Sequence, residues 1–218
     1  MELLLPLSTA FLLGTLHAFE ADHMAAVSAF AVRRPRALEA VGFGVRWAAG
    51  HGAVLVLIGT AAAALGLSIP ESSGHWLERI VGVSLVALGA WTAVGARALH
   101  AHVHSHDDGT THVHLHSHLL RRDHRHAHAA TAIGALHGLA GTAPALALVP
   151  VVSFDSPAFA AGYLALFAVG TALGMALYAL VAGWVVGRAA FRSEVIARAV
   201  AFVTGLATCG IGIFWIVR

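Results

Sequence analysis

The chain has one cysteine, Cys209, and no lysine: all 13 of its basic residues are arginine. A single thiol excludes an intrachain disulfide and any zinc site built from several cysteines. Charge of either sign is scarce as well. Asp, Glu, Lys and Arg make up 11% of the 218 residues, against about 25% in a soluble domain. So little charge cannot cover a water-facing surface, which excludes a soluble globular protein, a disordered chain and a secreted disulfide scaffold. The formal charge of +2 is too small a surplus to point to nucleic acid. No Walker motif is present, so this chain is not expected to hydrolyse ATP. Against these shortages stand 58% apolar residues, a mean hydropathy of +0.79 and 16 histidines, more than either charge class.

A bilayer span needs about 20 mostly apolar residues. Runs without Asp, Glu, Lys or Arg lie at Leu3–Phe19, Trp47–Pro70, Ile80–Ala96, Ala129–Phe154, Ser156–Gly187 and Ala199–Val217. The expected fold is an all-α integral membrane protein with six transmembrane helices, near 3–31, 38–67, 77–98, 129–152, 157–187 and 195–217. Continuous rather than alternating apolar runs argue for helices over a β-barrel. The amino-terminal run lacks a basic leader and carries Glu2, so it is expected to stay in the mature chain. Arginines cluster at 33, 34 and 36, between 97 and 125, and at 188, 192 and 198, whereas the alternate loops hold only Arg79. Positive-inside bias then predicts a multi-pass protein of the inner (plasma) membrane, with both termini outside and the 99–128 loop in the cytoplasm.

Shifting the chain by 120 residues aligns Gly14-Thr15-Leu16-His17 with Gly134-Ala135-Leu136-His137, and Trp47-Ala48-Ala49-Gly50 with Phe167-Ala168-Val169-Gly170. Alanine, glycine and leucine abound here, so chance is the competing explanation. A true repeat with three helices per half forces opposite orientations. The expected organisation is therefore two inverted three-helix repeats, residues 1–99 and 129–218, joined by a His-rich cytoplasmic loop at 100–128. Inverted repeats place transport sites near the midplane, where the halves meet.

The first apolar segment contains His17-Ala18-Phe19-Glu20-Ala21-Asp22-His23. An Asp at a helix centre costs about 2.5–3.5 kcal/mol on insertion scales, so such groups are normally turned inward and functional. A divalent cation would compensate the carboxylate and accept imidazole nitrogen. On a straight helix His17 stands about 140° from Asp22 and about 120° from His23. Either the helix unwinds, for which Gly14 is a candidate, or other helices complete the site. His51 and His137 are the candidates to do so, although each could instead hydrogen-bond a neighbouring helix. The competing explanation is that the first helix ends near Ala18, at a wet interface. Arg46 is read as snorkelling to the surface, or as a partner of Glu20 or Asp22.

Eleven of the 16 histidines fall in 100–128, largely at alternate positions from His100 to His106 and from His112 to His118. Period two across Asp107-Asp108-Gly109 fits a hairpin. The segment is short and polar, so disorder without metal is the expected state. Its imidazoles suit Zn2+, Cu2+, Ni2+ and Co2+, and Zn2+ is a candidate ligand of this loop.

His17-Ala-Phe-Glu-Ala-Asp22-His23 fits the His-x4-Asp-His signature of the nickel/cobalt transporter (NiCoT) family. The resemblance runs over about residues 14–56 and includes His23-Met24-Ala25-Ala26-Val27, Arg33-Arg34-Pro35 and Gly50-His51-Gly52. The chain departs from the family at Ser28-Ala29, where the family has Asp-Asn, and in lacking its later acidic signatures. It resembles a short, divergent, urease-associated permease-like branch of the wider nickel/cobalt permease and exporter superfamily. That resemblance implies secondary transport of Ni2+ or Co2+, with uptake favoured over efflux. The implied metal site is His17, Asp22 and His23, completed by His51 and His137, with Glu20 ranked below them. The implied partners are the lipid bilayer, the divalent ion, and a cytoplasmic metallochaperone or nickel-enzyme assembly factor. An intramembrane metalloenzyme and a metal-storage subunit are the alternatives from other classes.

Overall fold

The computed structural model describes residues 4–33, 36–66, 71–97, 99–105, 111–117, 126–139, 151, 154 and 156–218. Among them are seven helices: α1 (Leu4–His17), α2 (Ala21–Ala31), α3 (Ala37–Leu65), α4 (Glu71–Ala96), α5 (His126–Leu139), α6 (Pro157–Arg192) and α7 (Glu194–Val217). Strands β1 (Leu99–Ser105) and β2 (Thr111–Ser117) pair antiparallel between α4 and α5. The hairpin alternative thus holds over the expectation of disorder, and its turn at 106–110 lies outside the described residues.

Local sequence explains several boundaries. Helix α6 starts at Pro157, whose missing N–H costs nothing at a first helical position. Ser156 caps it, its Oγ accepting from the Phe159 N–H at 3.4 Å. Helix α3 ends where Gly66 takes φ 62°, a left-handed conformation that glycine adopts without strain.

The expectation of six spans as two inverted three-helix repeats is not met. Among the described residues, four helices are long and apolar enough to cross a bilayer: α3, residues His75–Ala96 of α4, α6 and α7. A fifth crossing results only if α1 and α2, bent by 54°, count as one broken span. Helix α5 is described for 14 residues, about 21 Å at 1.5 Å per residue, against a hydrocarbon core of about 30 Å. The rest of the expected fourth span, 140–150, lies outside the described residues. The first expected span, 3–31, is not one rod either. The Phe19 and Glu20 amides donate to Leu16 and His17, three residues back, and Glu20 is extended at φ −67°, ψ 151°. The tightened turn ends α1, and α2 restarts at Ala21 in a new direction.

Backbone-to-backbone crossings hold the helices together. Gly14 on α1 lies against the Phe167 carbonyl on α6, and Gly134 on α5 lies against the Trp47 carbonyl on α3. A Cβ at either glycine would occupy the space of that carbonyl, so only glycine permits these approaches. The two crossings are 120 residues apart in both partners, but the relation covers α1, α3, α5 and α6 and does not give three spans per half. Large apolar side chains such as Leu57, Val181, Val203 and Phe214 face outward from α3, α6 and α7. That outward face suits lipid rather than water, and the chain is a multi-pass helical membrane protein.

Two of the clusters of buried apolar side chains flank one polar spot. Val27, Phe30, Phe43, Trp47 and Met175 pack between α2, α3 and α6. Ala10, Leu55, Leu164 and Phe167 pack between α1, α3 and α6. Between them lie His17, Asp22, His23 and His51, each at most 3% exposed.

Candidate metal centre

The break after α1 creates the site. His17 is the last residue of α1 and His23 lies in the first turn of α2. On a straight helix their rings would diverge by about 120°, but across the bend their centroids are 4.5 Å apart. Both explanations weighed for the divergent side chains therefore apply: the backbone breaks, at 18–20 rather than at Gly14, and another helix contributes. That helix is α3, which brings His51 Nε2 to 3.4 Å from His17 Nε2. The ligand atoms of His17, His23 and His51 all lie within 4.8 Å of one another. Two nitrogens that share one ion at about 2.0–2.1 Å each stand roughly 3–4 Å apart, so the His17–His51 pair already has that spacing.

The carboxylates sit on the other side of the rings. Glu20 Oε1 is 2.9 Å from His17 Nδ1, and Asp22 Oδ1 is 2.9 Å from His23 Nδ1. A carboxylate on one ring nitrogen fixes the tautomer, orients the ring and makes the other nitrogen a better ligand. His23 Nε2 has no hydrogen-bond partner although it is fully buried, and neither has His51 Nδ1; His17 Nδ1 meets Glu20 at 2.9 Å as an ion-pair contact outside hydrogen-bond geometry. A buried polar atom without a partner is costly, and a cation is one group that would relieve that cost at His23 Nε2. Asp22, at the amino terminus of α2, also meets the favourable end of the helix dipole. Glu20, Asp22 and His23 form a second group close enough to hold an ion, so His23 belongs to both groups.

His137 stands beside this cluster rather than within it. Its Nδ1 donates to the Ile133 carbonyl at 2.9 Å, its Nε2 is buried and unpaired, and its ring lies 6.1 Å from that of His23. Arg46 is exposed on α3 with its guanidinium beside Gly42, and Asp22 is engaged by His23 instead. Sequence reasoning missed Trp47. Its indole stacks on His51 at 5.3 Å and 17°, and its ring also lies 4.6 Å from His23 and 5.2 Å from His137. The available signal was its position four residues before His51, one turn along the same face of α3. Ser28, where the resembled family has Asp, lies with its Oγ 2.6 Å from the Tyr178 hydroxyl and ties α2 to α6.

The sequence matches a protein family described as "Cytochrome C biogenesis protein transmembrane region" over residues 9–213. It is similar to the urease accessory protein UreH of Bacillus sp. (strain TB-90), 28% identical over 84% of this chain and 78% of the relative. It is also similar to the chloroplast proteins FOR GROWTH AND FERTILITY 2 and 1 of Arabidopsis thaliana, each 28% identical. Those alignments cover 84% and 78% of this chain, but only 48% and 47% of the plant proteins, so the chain spans about half their length. No solved structure matches. These findings support a permease-like membrane family without singling out nickel/cobalt transporters. Apolar crossing helices and a match over nearly the whole sequence agree, and the chain belongs to the cytochrome c biogenesis protein transmembrane region family.

Proposed function

We propose that this chain is a secondary permease that carries a borderline divalent transition metal, Ni2+ or Co2+, inward across the plasma membrane. The observation that carries the reading is the buried trio His17, His23 and His51, gathered at a break in an apolar segment. Imidazole favours Ni2+, Co2+ and Zn2+ over Mg2+ or Ca2+, which prefer oxygen. Two carboxylates supply negative charge next to the rings, and a broken span is where membrane transporters expose ligands to an ion path. In this reading His17, His23 and His51 hold the ion, Asp22 and Glu20 orient the rings and balance its charge, and His137 is a neighbouring station.

The name of the Bacillus relative, a urease accessory protein, fits delivery to a cytoplasmic nickel-enzyme assembly factor or metallochaperone. The arginine bias supports a cytoplasmic 99–128 loop. A hydrolytic metalloenzyme is less well supported, because Asp22 and Glu20 are engaged with ring nitrogens instead of being free to activate water. Purified protein in liposomes tests the reading, with Ni2+, Co2+, Zn2+, Mn2+ and Fe2+ compared. Saturable Ni2+ or Co2+ flux that falls at least tenfold in His51→Ala is expected. Flux equal to that of protein-free vesicles, or unchanged in His51→Ala, contradicts it.

A further inference from the structure

Residues 18–20 contain neither Pro nor Gly, yet the segment formed by α1 and α2 bends there by 54°. The Ala18 amide still donates four residues back, to the Gly14 oxygen at 3.2 Å, whereas the Phe19 and Glu20 amides donate only three residues back. The regular ladder of α1 therefore ends at the Gly14 carbonyl. A second donor meets that same carbonyl. Thr171 of α6 is fully buried, and its hydroxyl oxygen lies 3.1 Å from the Gly14 oxygen and 3.0 Å from the Phe167 oxygen of its own helix. A hydroxyl carries one proton, so the two carbonyls share it. A side chain that enters the ladder of a helix is among the few causes of a sharp kink, and here it comes from a neighbouring helix. The face of α6 around Thr171 also receives the turn that carries His17. A Cβ at Gly174 would lie 2.6 Å from the Ala18 Cβ and 2.9 Å from the Thr15 oxygen, and the Phe167 ring is 5.3 Å from the His17 ring.

From these contacts we infer that Thr171 is a positioning residue: its hydroxyl fixes where α1 stops, and so sets the approach of His17 to His23 and His51. It acts through the Gly14 carbonyl and not as a ligand. Its effect on metal binding rests on the transport reading, whereas its effect on helix placement does not. Helix α2 is tied independently. Ser28 meets Tyr178 of α6, Arg33 donates to the Trp91 carbonyl of α4, and the Thr92 and Thr208 hydroxyls lie 3.3 and 3.5 Å from the Ala29 and Ala25 oxygens. Loss of the Thr171 hydroxyl therefore moves α1 rather than α2. Leu5 is 12 residues before His17 on α1. That is a lever of about 18 Å, so a tilt of about 10° displaces the Leu5 end by roughly 3 Å.

Two readouts on the full-length protein in detergent test the assignment. Spin labels at Leu5→Cys and Leu57→Cys, both exposed, report the distance from α1 to α3 by pulsed electron paramagnetic resonance in a Cys209→Ser background. Thr171→Val and Thr171→Ala should each shift or broaden that distance by about 3 Å. Thr171→Ser keeps the hydroxyl, and Thr92→Val removes a buried hydroxyl that faces α2 instead, so both should match the parent. The second readout is quenching of Trp47 by Co2+, with Trp76, Trp91, Trp184 and Trp215 changed to Phe and the free Co2+ set by a chelator. Its midpoint should rise by about 3–10-fold in Thr171→Val and Thr171→Ala, the equivalent of one net hydrogen bond, and return to the parent value in Thr171→Ser. An unchanged distance in both hydroxyl-free variants, a shift that Thr171→Ser does not prevent, or a shifted distance with an unchanged Co2+ midpoint would overturn the inference. A shifted distance with no quenching even in the parent would uphold Thr171 as the group that places α1 and would contradict metal binding at the trio instead.

Discussion

At the scale of single residues, the carboxylates in the apolar segment act on the imidazoles at the nitrogen away from the cluster. Asp22 at His23 Nδ1 and Glu20 at His17 Nδ1 each leave the opposite ring nitrogen for a ligand. Removing such a supporting carboxylate typically lowers metal affinity by about 10–100-fold. Asp22→Asn is therefore expected to weaken Ni2+ binding by that factor while the protein remains folded. Titration calorimetry on protein lacking residues 101–127 measures this, and an unchanged affinity would place Asp22 outside the site. Trp47 gives a second prediction. With Trp76, Trp91, Trp184 and Trp215 changed to Phe, the remaining indole stacks on His51 and should be quenched when Ni2+ or Co2+ binds. Unaltered emission at a saturating concentration would put the ion elsewhere. The residue types of the cluster were legible in the sequence, because charge and imidazole are rare in so apolar a stretch. The 4.5 Å approach of the His17 and His23 rings was not. It arises from the backbone break, because a straight helix would have held the two rings about 120° apart.

At the scale of elements, periodicity and apolar runs located α3, α6 and α7 within a few residues, since a bilayer demands long uninterrupted apolar helices. A break was expected at Gly14, or as a helix end near Ala18, but its place at 18–20 within one bent segment was not fixed, because Ala18-Phe19-Glu20 contains neither Pro nor Gly, the usual causes of a sharp bend. The period-two placement of histidine disclosed the strands β1 and β2 but not their register, which follows from pairing between strands rather than from either strand alone. The crossings yield a stability prediction. In Gly14→Ala or Gly134→Ala the new Cβ meets a backbone carbonyl that cannot rotate away, so the helices must separate. Both variants should yield much less monodisperse protein in detergent and unfold at lower temperature. Gly162→Ala, with nothing within 4 Å of its Cβ position, should match the parent. Equal thermal stability in all three would show that the crossings tolerate an extra methyl.

At the scale of the whole molecule, the scarce charges predict the orientation: in the sequence most arginines fall in the segments expected to be cytoplasmic. Arg33 anchors the end of α2 to α4 by donating to the Trp91 carbonyl at 2.9 Å with its guanidinium over the Trp91 ring. In a Cys209→Ser background, a membrane-impermeant thiol reagent on intact cells should label Ser72→Cys and spare Ser105→Cys; the reverse pattern would invert the protein. Composition established membrane residence because so few charges cannot solvate a surface, whereas the number of crossings depended on where helices break, which composition does not record. The central claim is that His17, His23 and His51 jointly hold one transported ion, and 63Ni2+ binding to purified protein lacking residues 101–127 tests it most directly. The account predicts one ion per chain, lost in each of His17→Ala, His23→Ala and His51→Ala while the variants stay folded. One ion per chain retained by all three variants would contradict it.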